Sequence, residues 1–247
     1  MNILSKYTSP FWLLLVQTFL LFGLKNLAAQ NITPEKAIHI AYKKDEKTGN
    51  QIQLERINQE LQNIFEITDN TFNRYWLSYG LYNQALLAGI QEDEDRAEFL
   101  IDRAIELLNP FKDDGESLAL LSLEQGYSTQ FKGFFSLMRI GRNAVLNALL
   151  ATELSPNSLR ANFAVAINDF YTPKIFGGGR LTIKYLKKAL EDENINSLDS
   201  LPRWGKPSVY ELLFKYHKKI KKDSIAQSFL SKGLMEFPES ELLKSLN

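Results

Sequence analysis

The sequence predicts an all-α protein built from stacked pairs of antiparallel helices. Apolar residues recur at steps of three and four from Pro34 to the end of the chain, which is typical of amphipathic helices. No run of alternating apolar and polar residues is long enough to predict a strand. One spacing of small and apolar residues also recurs in four predicted helices, and such internal repetition is typical of stacked repeat architectures.

Two helices are predicted before the repetition begins. Thr33 can cap the first of them, and Pro34 fits its first position. Gly49 and Asn50 then break that helix. A second amphipathic helix follows from residue 52 to residue 65. Residues 30–71 are therefore predicted to be N-terminal helices that lead into the array.

The four later helices share one spacing. A small residue, an apolar residue, a second small residue and a terminator follow one another at steps of four, three and five. Small side chains on one face let a neighbouring helix approach closely, so these residues are predicted to lie on buried seams between helices. The four sets are Ala97, Ile101, Ala104 and Asn109; Ala144, Ala148, Ala151 and Pro156; Thr182, Leu186, Ala189 and Asn194; and Ala226, Leu230, Gly233 and Pro238.

This spacing resembles the second helix of the tetratricopeptide repeat (TPR) family. Four groups of residues resemble the family's first helix. They are Trp76, Tyr79, Gly80 and Asn83; more weakly Leu118, Leu121, Ser122 and Gln125; Phe163 and Ala164; and Tyr210 and Leu213. In the fourth group, Phe214 occupies a position where the family has a small residue. The family period is about 34 residues. Here the repeats are longer, and the surplus is expected inside the pairs, at residues 91–95, 127–141 and 171–179. The resemblance implies a right-handed α-solenoid of about four units over residues 72–247.

The first 29 residues are predicted to be a signal peptide. Lys6 precedes an apolar run at residues 11–24, and small residues follow at Ala28 and Ala29. The protein is therefore expected to be exported and to be periplasmic or extracellular. An uncleaved membrane anchor remains an alternative, and contact with a membrane is expected only through this segment.

Composition excludes several kinds of site. Basic and acidic residues number 29 each, so a strongly basic nucleic-acid-binding surface is not expected. The chain has no cysteine and two histidines, His39 and His217, and we predict no metal and no cofactor. HExxH, GxSxG and SxxK motifs are absent. The chain is thus predicted not to be an enzyme, with a hydrolase that uses an unrecognised carboxylate pair as an alternative.

A partner-binding groove is predicted on the first helices, because these line the concave face of a stacked array. The candidate groove residues are Arg74, Gln84, Asn168, Glu211 and Lys215. The leading hypothesis is an exported scaffold or adaptor that binds a protein or a peptide there.

A glycine-rich segment at residues 171–180 is the most distinctive local motif. Its candidate residues are Pro173, Phe176, Gly177 and Gly178. Glycines before a helix can bind an anion, but a tight turn is favoured, because no strand precedes them as in phosphate-binding loops. The segment also resembles an insertion of exported TPR-like proteins, including a periplasmic component associated with some solute transporters. A ligand-binding accessory component of a transport system is therefore an alternative function.

Two other segments have competing interpretations. Residues 131–138 contain three phenylalanines, which are predicted to form a short helix closing the core, with a ligand- or partner-binding surface as the alternative. The lysine-rich residues 218–222 are predicted to be a solvated helix end, with contact to an acidic lipid or an acidic partner as the weaker alternative.

Overall fold

The computed structural model describes residues 32–110, 113–191 and 202–247, and it has no strand within these ranges. The predicted signal peptide and Asn194 lie outside the described residues. The α-helices are α1 (Pro34–Thr48), α2 (Ile52–Ile67), α3 (Thr71–Ile90), α4 (Glu94–Leu108), α5 (Gly115–Ser128), α6 (Phe134–Leu154), α7 (Leu159–Tyr171), α8 (Thr182–Leu190), α9 (Lys206–Lys219), α10 (Asp223–Glu236) and α11 (Glu241–Lys244). Two short 3₁₀ turns span Thr129–Phe131 and Lys174–Phe176. None of the described helices combines the length and the apolar character that crossing a bilayer requires.

Local sequence signals set the helix ends. The Thr33 side chain accepts a hydrogen bond from the backbone N–H of Lys36, and Gly49 ends α1 in the left-handed conformation, so both predicted boundaries of this helix are confirmed. Asp93 caps α4 and Asp114 caps α5 in the same way as Thr33. These caps satisfy backbone groups that a helix cannot pair internally.

The helices pack as successive antiparallel pairs. α1 packs on α2, α3 on α4, α5 on α6, α7 on α8, and α9 on α10. The first helices of neighbouring pairs also contact one another, from α1 through α3, α5 and α7 to α9. α1 and α2 therefore belong to the stack, and the series of pairs begins before residue 72. The short helix α11 covers the last pair.

The predicted seams are buried. In α4, the side chains of Ala97, Ile101 and Ala104 have no exposed surface. Gly233 in α10 lies so close to α9 that a Cβ there would be 3.0 Å from Tyr210. The other small and apolar residues of the four sets are also fully buried: Ala144, Ala148, Ala151, Thr182, Leu186, Ala189, Ala226 and Leu230. The described terminators Asn109, Pro156 and Pro238 are exposed, because they lie beyond the helix ends. Close packing through small residues on shared faces is thus confirmed.

The register of the second repeat differs from the prediction. Ser78 of α3 donates a hydrogen bond to the carbonyl of Ala104 at 2.9 Å, and Ser122 of α5 donates one to the carbonyl of Ala144 at 2.8 Å. The sequence pattern predicted that Ser122 of α5 occupies the repeat position that Gly80 occupies in α3. Because Ser122 and Ser78 each donate to a carbonyl of the following helix, Ser122 instead corresponds to Ser78. The pattern failed here because α5 is apolar around most of its circumference and α6 has small residues at several successive turns.

The predicted insertion at residues 127–141 is mostly helical. Phe131 packs against the core, as expected for a segment that closes it. Phe134 and Phe135, however, are 68% and 88% exposed at the start of α6, so the core prediction is wrong for both. They project because the helix pair ends in a tight turn and no other described element covers its tip.

Candidate functional site

Four tyrosines lie side by side on the first helices α1, α3 and α5. We call Tyr42, Tyr79, Tyr82 and Tyr127 the tyrosine surface; all four are partly exposed. The rings of Tyr82 and Tyr127 meet edge to face at 6.0 Å. Burial raises the pKa of Tyr42 to about 12, and it also raises the pKa of the other three phenols. The surface is therefore uncharged and rich in hydroxyl groups at neutral pH.

A segment of the chain itself that belongs to no helix binds against this surface. We call residues 202–205, immediately before α9, the strap. The indole ring of Trp204 stacks on the ring of Tyr79, with centroids 4.8 Å apart and planes 20° from parallel. The indole N–H of Trp204 also donates a hydrogen bond to the hydroxyl of Tyr75 at 3.0 Å. The strap thereby joins α9 to α3, across more than a hundred residues of sequence.

The strap backbone is recognised by two charged side chains. The N–H of Arg203 donates to a Glu35 carboxylate oxygen at 2.8 Å, and Arg160 donates to the carbonyl of Trp204 at 3.0 Å. Desolvation raises the pKa of the Glu35 carboxyl, against the opposing effects of the Arg203 N–H and the Arg160 charge. One main-chain donor and one main-chain acceptor of the strap are thus paired with side chains.

A buried ion pair holds Arg160 in place. Arg160 Nε lies 2.5 Å from a Glu116 oxygen, and the two side chains are 7% and 14% exposed. The hydroxyl of Ser158 donates to the same carboxylate at 2.6 Å. Because Glu116 orients the guanidinium, Arg160 is available to the strap without rearrangement.

The five predicted groove residues do not form one surface. Gln84 is 1% exposed. Its side-chain amide accepts a hydrogen bond from Asn58 and donates one to Gln51. Asn168 donates to the hydroxyl of Ser122 at 2.8 Å. These two amides therefore connect neighbouring helices, and Gln84 is not on the accessible face as predicted.

The other three predicted residues are partly exposed but engaged. Arg74 forms an ion pair with Asp69 at the start of α3. Lys215 and Glu211 pair with each other along α9, with nitrogen and oxygen 2.6 Å apart. The Glu211–Lys215 pair is the part of the predicted set that extends the row of first helices beyond α7.

The glycine-rich segment is a tight turn, and the carboxylate of Asp169 binds the N–H groups that follow it. One carboxylate oxygen of Asp169 accepts hydrogen bonds from the N–H groups of Leu181 and Thr182 at 2.8 and 2.7 Å, and from the Thr182 hydroxyl at 2.6 Å. The start of α8 is thus capped internally, as Asp45 caps the start of α2. This geometry matches the tight-turn interpretation, because these N–H groups are not free for an external anion.

Glycine is required within this turn. Gly177 has a φ of 90°, and a Cβ on Gly178 would lie 2.0 Å from the carbonyl oxygen of Thr172. The carbonyl of Pro173 accepts from the N–H of Phe176 at 2.9 Å, which closes the 3₁₀ turn. The turn leaves the Phe176 ring 59% exposed.

A polar cleft of about 360 Å³ lies between α4, the end of α5 and the start of α6. Lys132 lies at its rim and pairs with Glu98 and Asp102 at 2.8 and 2.7 Å. Its other polar lining residues include Gln125, Ser128, Arg139 and Asn143. The cleft was not predicted, because its walls come from helices that no local pattern relates.

The strap was also not predicted. A tryptophan between Pro202 and Gly205, outside any helical pattern, was the available signal.

Among the described residues no group of three or more histidine, cysteine, aspartate and glutamate side chains is placed to hold a metal ion. His217 is buried, and its Nδ1 donates to the carbonyl of Leu213 at 2.9 Å.

Comparison with known proteins shows a TPR-like fold. No protein-family model and no curated protein matches the chain. Among solved structures, a thermophilic TPR protein from Thermus thermophilus is similar at 13% identity and a TM-score of 0.57, over 83% of this chain and 96% of that protein. The HusA haemophore from Porphyromonas gingivalis is similar at 18% identity and a TM-score of 0.51, over 81% and 92% of the two chains.

Proposed function

We propose that the protein is a TPR-like interaction module that binds an extended segment of a partner protein on the row of first helices. The observation that carries the proposal is the strap. The same face already binds a non-helical segment of its own chain through a main-chain donor, a main-chain acceptor and an aromatic ring.

The remainder of this face has room for a partner. Tyr42, Tyr82 and Tyr127 keep part of their surface exposed, and so do Glu211 and Lys215. Partly buried aromatic side chains next to hydrogen-bonding groups are typical of energetically important contacts in protein interfaces. An extended peptide beside the strap would meet neutral hydroxyl groups first and the Glu211–Lys215 pair at its far end.

We further propose that the protein is exported and has a non-catalytic role. The predicted signal peptide supports a periplasmic or extracellular location, and the absence of recognisable catalytic motifs supports a scaffold or adaptor. Nothing in the described residues favours the alternative of a hydrolase with a carboxylate pair.

A selected peptide can test the groove. Phage-displayed peptides are enriched on the protein, and the best one is labelled for fluorescence anisotropy. Lys215→Glu should weaken binding, because it places two carboxylates on the same helix turn of the proposed face. Lys232→Glu on α10, which has the same charge change and lies outside the first helices, should leave the affinity unchanged.

Removal of the strap ring gives the opposite effect. Trp204→Ala frees the Tyr79 ring, so the selected peptide should bind more tightly if it competes for the same aromatic platform. Equal affinities for the wild type, Lys215→Glu and Trp204→Ala would refute the assignment of this face.

A second candidate function is the binding of a flat, largely apolar small molecule, as an accessory component of a transport system. The favouring observation is the uncharged tyrosine surface, together with similarity in fold to a haemophore. Titration of the protein with haem, followed by absorbance, should give a saturable spectral shift that Tyr82→Ala diminishes. A spectrum identical to that of free haem at all ratios would exclude haem as this ligand.

A further inference from the structure

The turns inside the helix pairs lie along one edge of the stack. We call residues 49–51, 91–93, 129–133, 172–181 and 220–222, with the helix ends that flank them, the turn edge. Each turn region contacts the next, which places them in a continuous row. The contacts are Gln51 with Gln91 at 3.0 Å, Tyr127 with Ala85 at 3.1 Å, and Lys219 with Phe170 at 3.2 Å, while a Cβ on Gly126 would lie 2.8 Å from Asn168.

Large apolar side chains project from three successive turns of this edge. Phe135 is 88% exposed and Phe134 is 68% exposed at the α5–α6 turn. At the α7–α8 turn, Ile175 and Phe176 are 85% and 59% exposed, and Ile220 is 41% exposed at the α9–α10 turn. Single exposed apolar residues are ordinary on protein surfaces, but a row of them at adjacent protruding tips is not.

Positive charge accompanies the last two of these turns. Residues 169–181 and 218–223 contain six basic and two acidic side chains. Both acidic groups are engaged, because Asp169 caps α8 and Asp223 pairs with Lys218 at 2.6 Å. Within the described ranges, five of these six basic side chains form no ion pair. Lys219 donates to the carbonyl of Phe170, and the other four are Lys174, Arg180, Lys221 and Lys222.

The opposite edge of the stack has a different charge. Among the described residues, the turns that connect one pair to the next, or to α11, contain five acidic residues and one basic residue: Asp69, Asp113, Asp114, Glu191, Glu239 and Arg203. The α3–α4 turn of the turn edge is itself acidic, because it contains Glu92 and Asp93. An anionic surface would therefore attract the α7–α8 and α9–α10 turns and not the whole edge.

We propose that the last two turns of the turn edge, at residues 172–181 and 220–222, dock on the surface of an anionic lipid bilayer. Ile175 and Phe176 would enter the headgroup region, while Lys221 and Lys222 would lie against lipid phosphates. Exposed apolar side chains beside basic ones are the usual elements of peripheral membrane binding, since apolar burial and charge attraction reinforce each other. The protruding tips favour a bilayer over a folded acidic protein, which would need to supply a pocket for each tip. This inference goes beyond membrane contact through the N-terminal segment.

A site-specific fluorophore tests the proposal on the full chain. Because the sequence has no cysteine, Ile175→Cys can be labelled alone with an environment-sensitive dye. With vesicles of phosphatidylcholine and phosphatidylglycerol, the dye should brighten severalfold and its emission should shift to the blue. Vesicles of phosphatidylcholine alone should give little response. The control is Met235→Cys, which labels a residue that is 84% exposed near the opposite edge and should stay unchanged.

A double substitution tests the contribution of the lysine charges to vesicle binding. Lys221→Gln with Lys222→Gln in the labelled chain should raise the lipid concentration for half-maximal response about 25-fold, at about fivefold for each lysine. The matched pair Lys36→Gln with Lys232→Gln should leave that concentration unchanged. A silent dye at position 175 on anionic vesicles, or equal responses from positions 175 and 235, would overturn the proposal. A response to soluble polyglutamate and not to vesicles would overturn it in favour of an acidic protein partner.

Discussion

The stability of this protein is expected to fall as the pH rises from 4.5 to 8, because of one buried carboxyl group. Glu124 of α5 is fully buried, and desolvation raises the pKa of its side chain from 4.5 to about 8. The Ser78 hydroxyl lies 2.6 Å from one Glu124 oxygen and 2.9 Å from the carbonyl oxygen of Ala104. This hydroxyl has one hydrogen and can donate to only one of them. Both contacts are hydrogen bonds only if Glu124 is protonated and donates to Ser78, which in turn donates to Ala104.

The size of this loss of stability follows from the difference in proton binding between the folded and the unfolded chain. Above pH 4.5 the unfolded chain loses the Glu124 proton, whereas the folded chain keeps it until about pH 8. The contribution of Glu124 to the free energy of unfolding is therefore fully present below pH 4.5, and it is lost progressively as the pH rises from 4.5 to 8. At about 1.4 kcal/mol per pKa unit, the loss amounts to about 3 kcal/mol at pH 7 and about 5 kcal/mol above pH 8.

Glu124→Gln isolates this effect, since the amide is neutral at every pH. Urea unfolding at pH 5, 7 and 8.5, followed by tryptophan fluorescence, measures the free energy of unfolding. The variant should be more stable than the wild type by up to about 3 kcal/mol at pH 7, and the difference should shrink at pH 5. Glu153→Gln changes an exposed side chain and serves as the control. A wild-type stability that does not fall between pH 5 and 8.5, or a Glu124→Gln variant that is less stable at pH 7, would refute the reasoning.

Three further substitutions test the geometry of the turns and of the strap support. Gly178→Ala should lower the free energy of unfolding by more than about 2 kcal/mol, because the new methyl group meets backbone atoms 2.0 Å away that cannot move aside cheaply. Asp169→Ala should cost about 1–2 kcal/mol, as the start of α8 loses its cap. Arg160→Met should cost about 3–5 kcal/mol, because it leaves the buried carboxylate of Glu116 without its partner. Thermal and urea unfolding measure all three.

Each of these three substitutions has a control variant. Gly133→Ala should be nearly neutral, since no atom lies within 4 Å of its Cβ position, and equal losses at Gly133 and Gly178 would contradict the steric argument. Asp169→Asn keeps one hydrogen-bond acceptor and should recover part of the loss. Combining Arg160→Met with Glu116→Gln should restore stability relative to Arg160→Met alone, and a further loss would show that the ion pair is not the cause.

Much of the architecture could be predicted because its signals are local. The capping residues Thr33 and Gly49 act within one helical turn, and their positions in the sequence locate the ends of α1. The seams could be predicted for a related reason. A buried helix face repeats every three or four residues, so Ala97, Ile101 and Ala104 mark it without reference to a partner. The pattern was weaker where Ser122 lies in an almost uniformly apolar helix, and the register was misplaced there.

The sequence by itself determined the helical class, the pairing of helices and the close contacts at small residues, because periodicity and capping are properties of neighbouring residues. Only the tertiary structure decided that Trp204 stacks on Tyr79, that Gln84 is buried, and that Glu124 has no access to water. These outcomes depend on which helices approach one another over tens to more than a hundred residues. The free energy of burying a charge or a ring is set by all the atoms around it, and no single segment of sequence contains them.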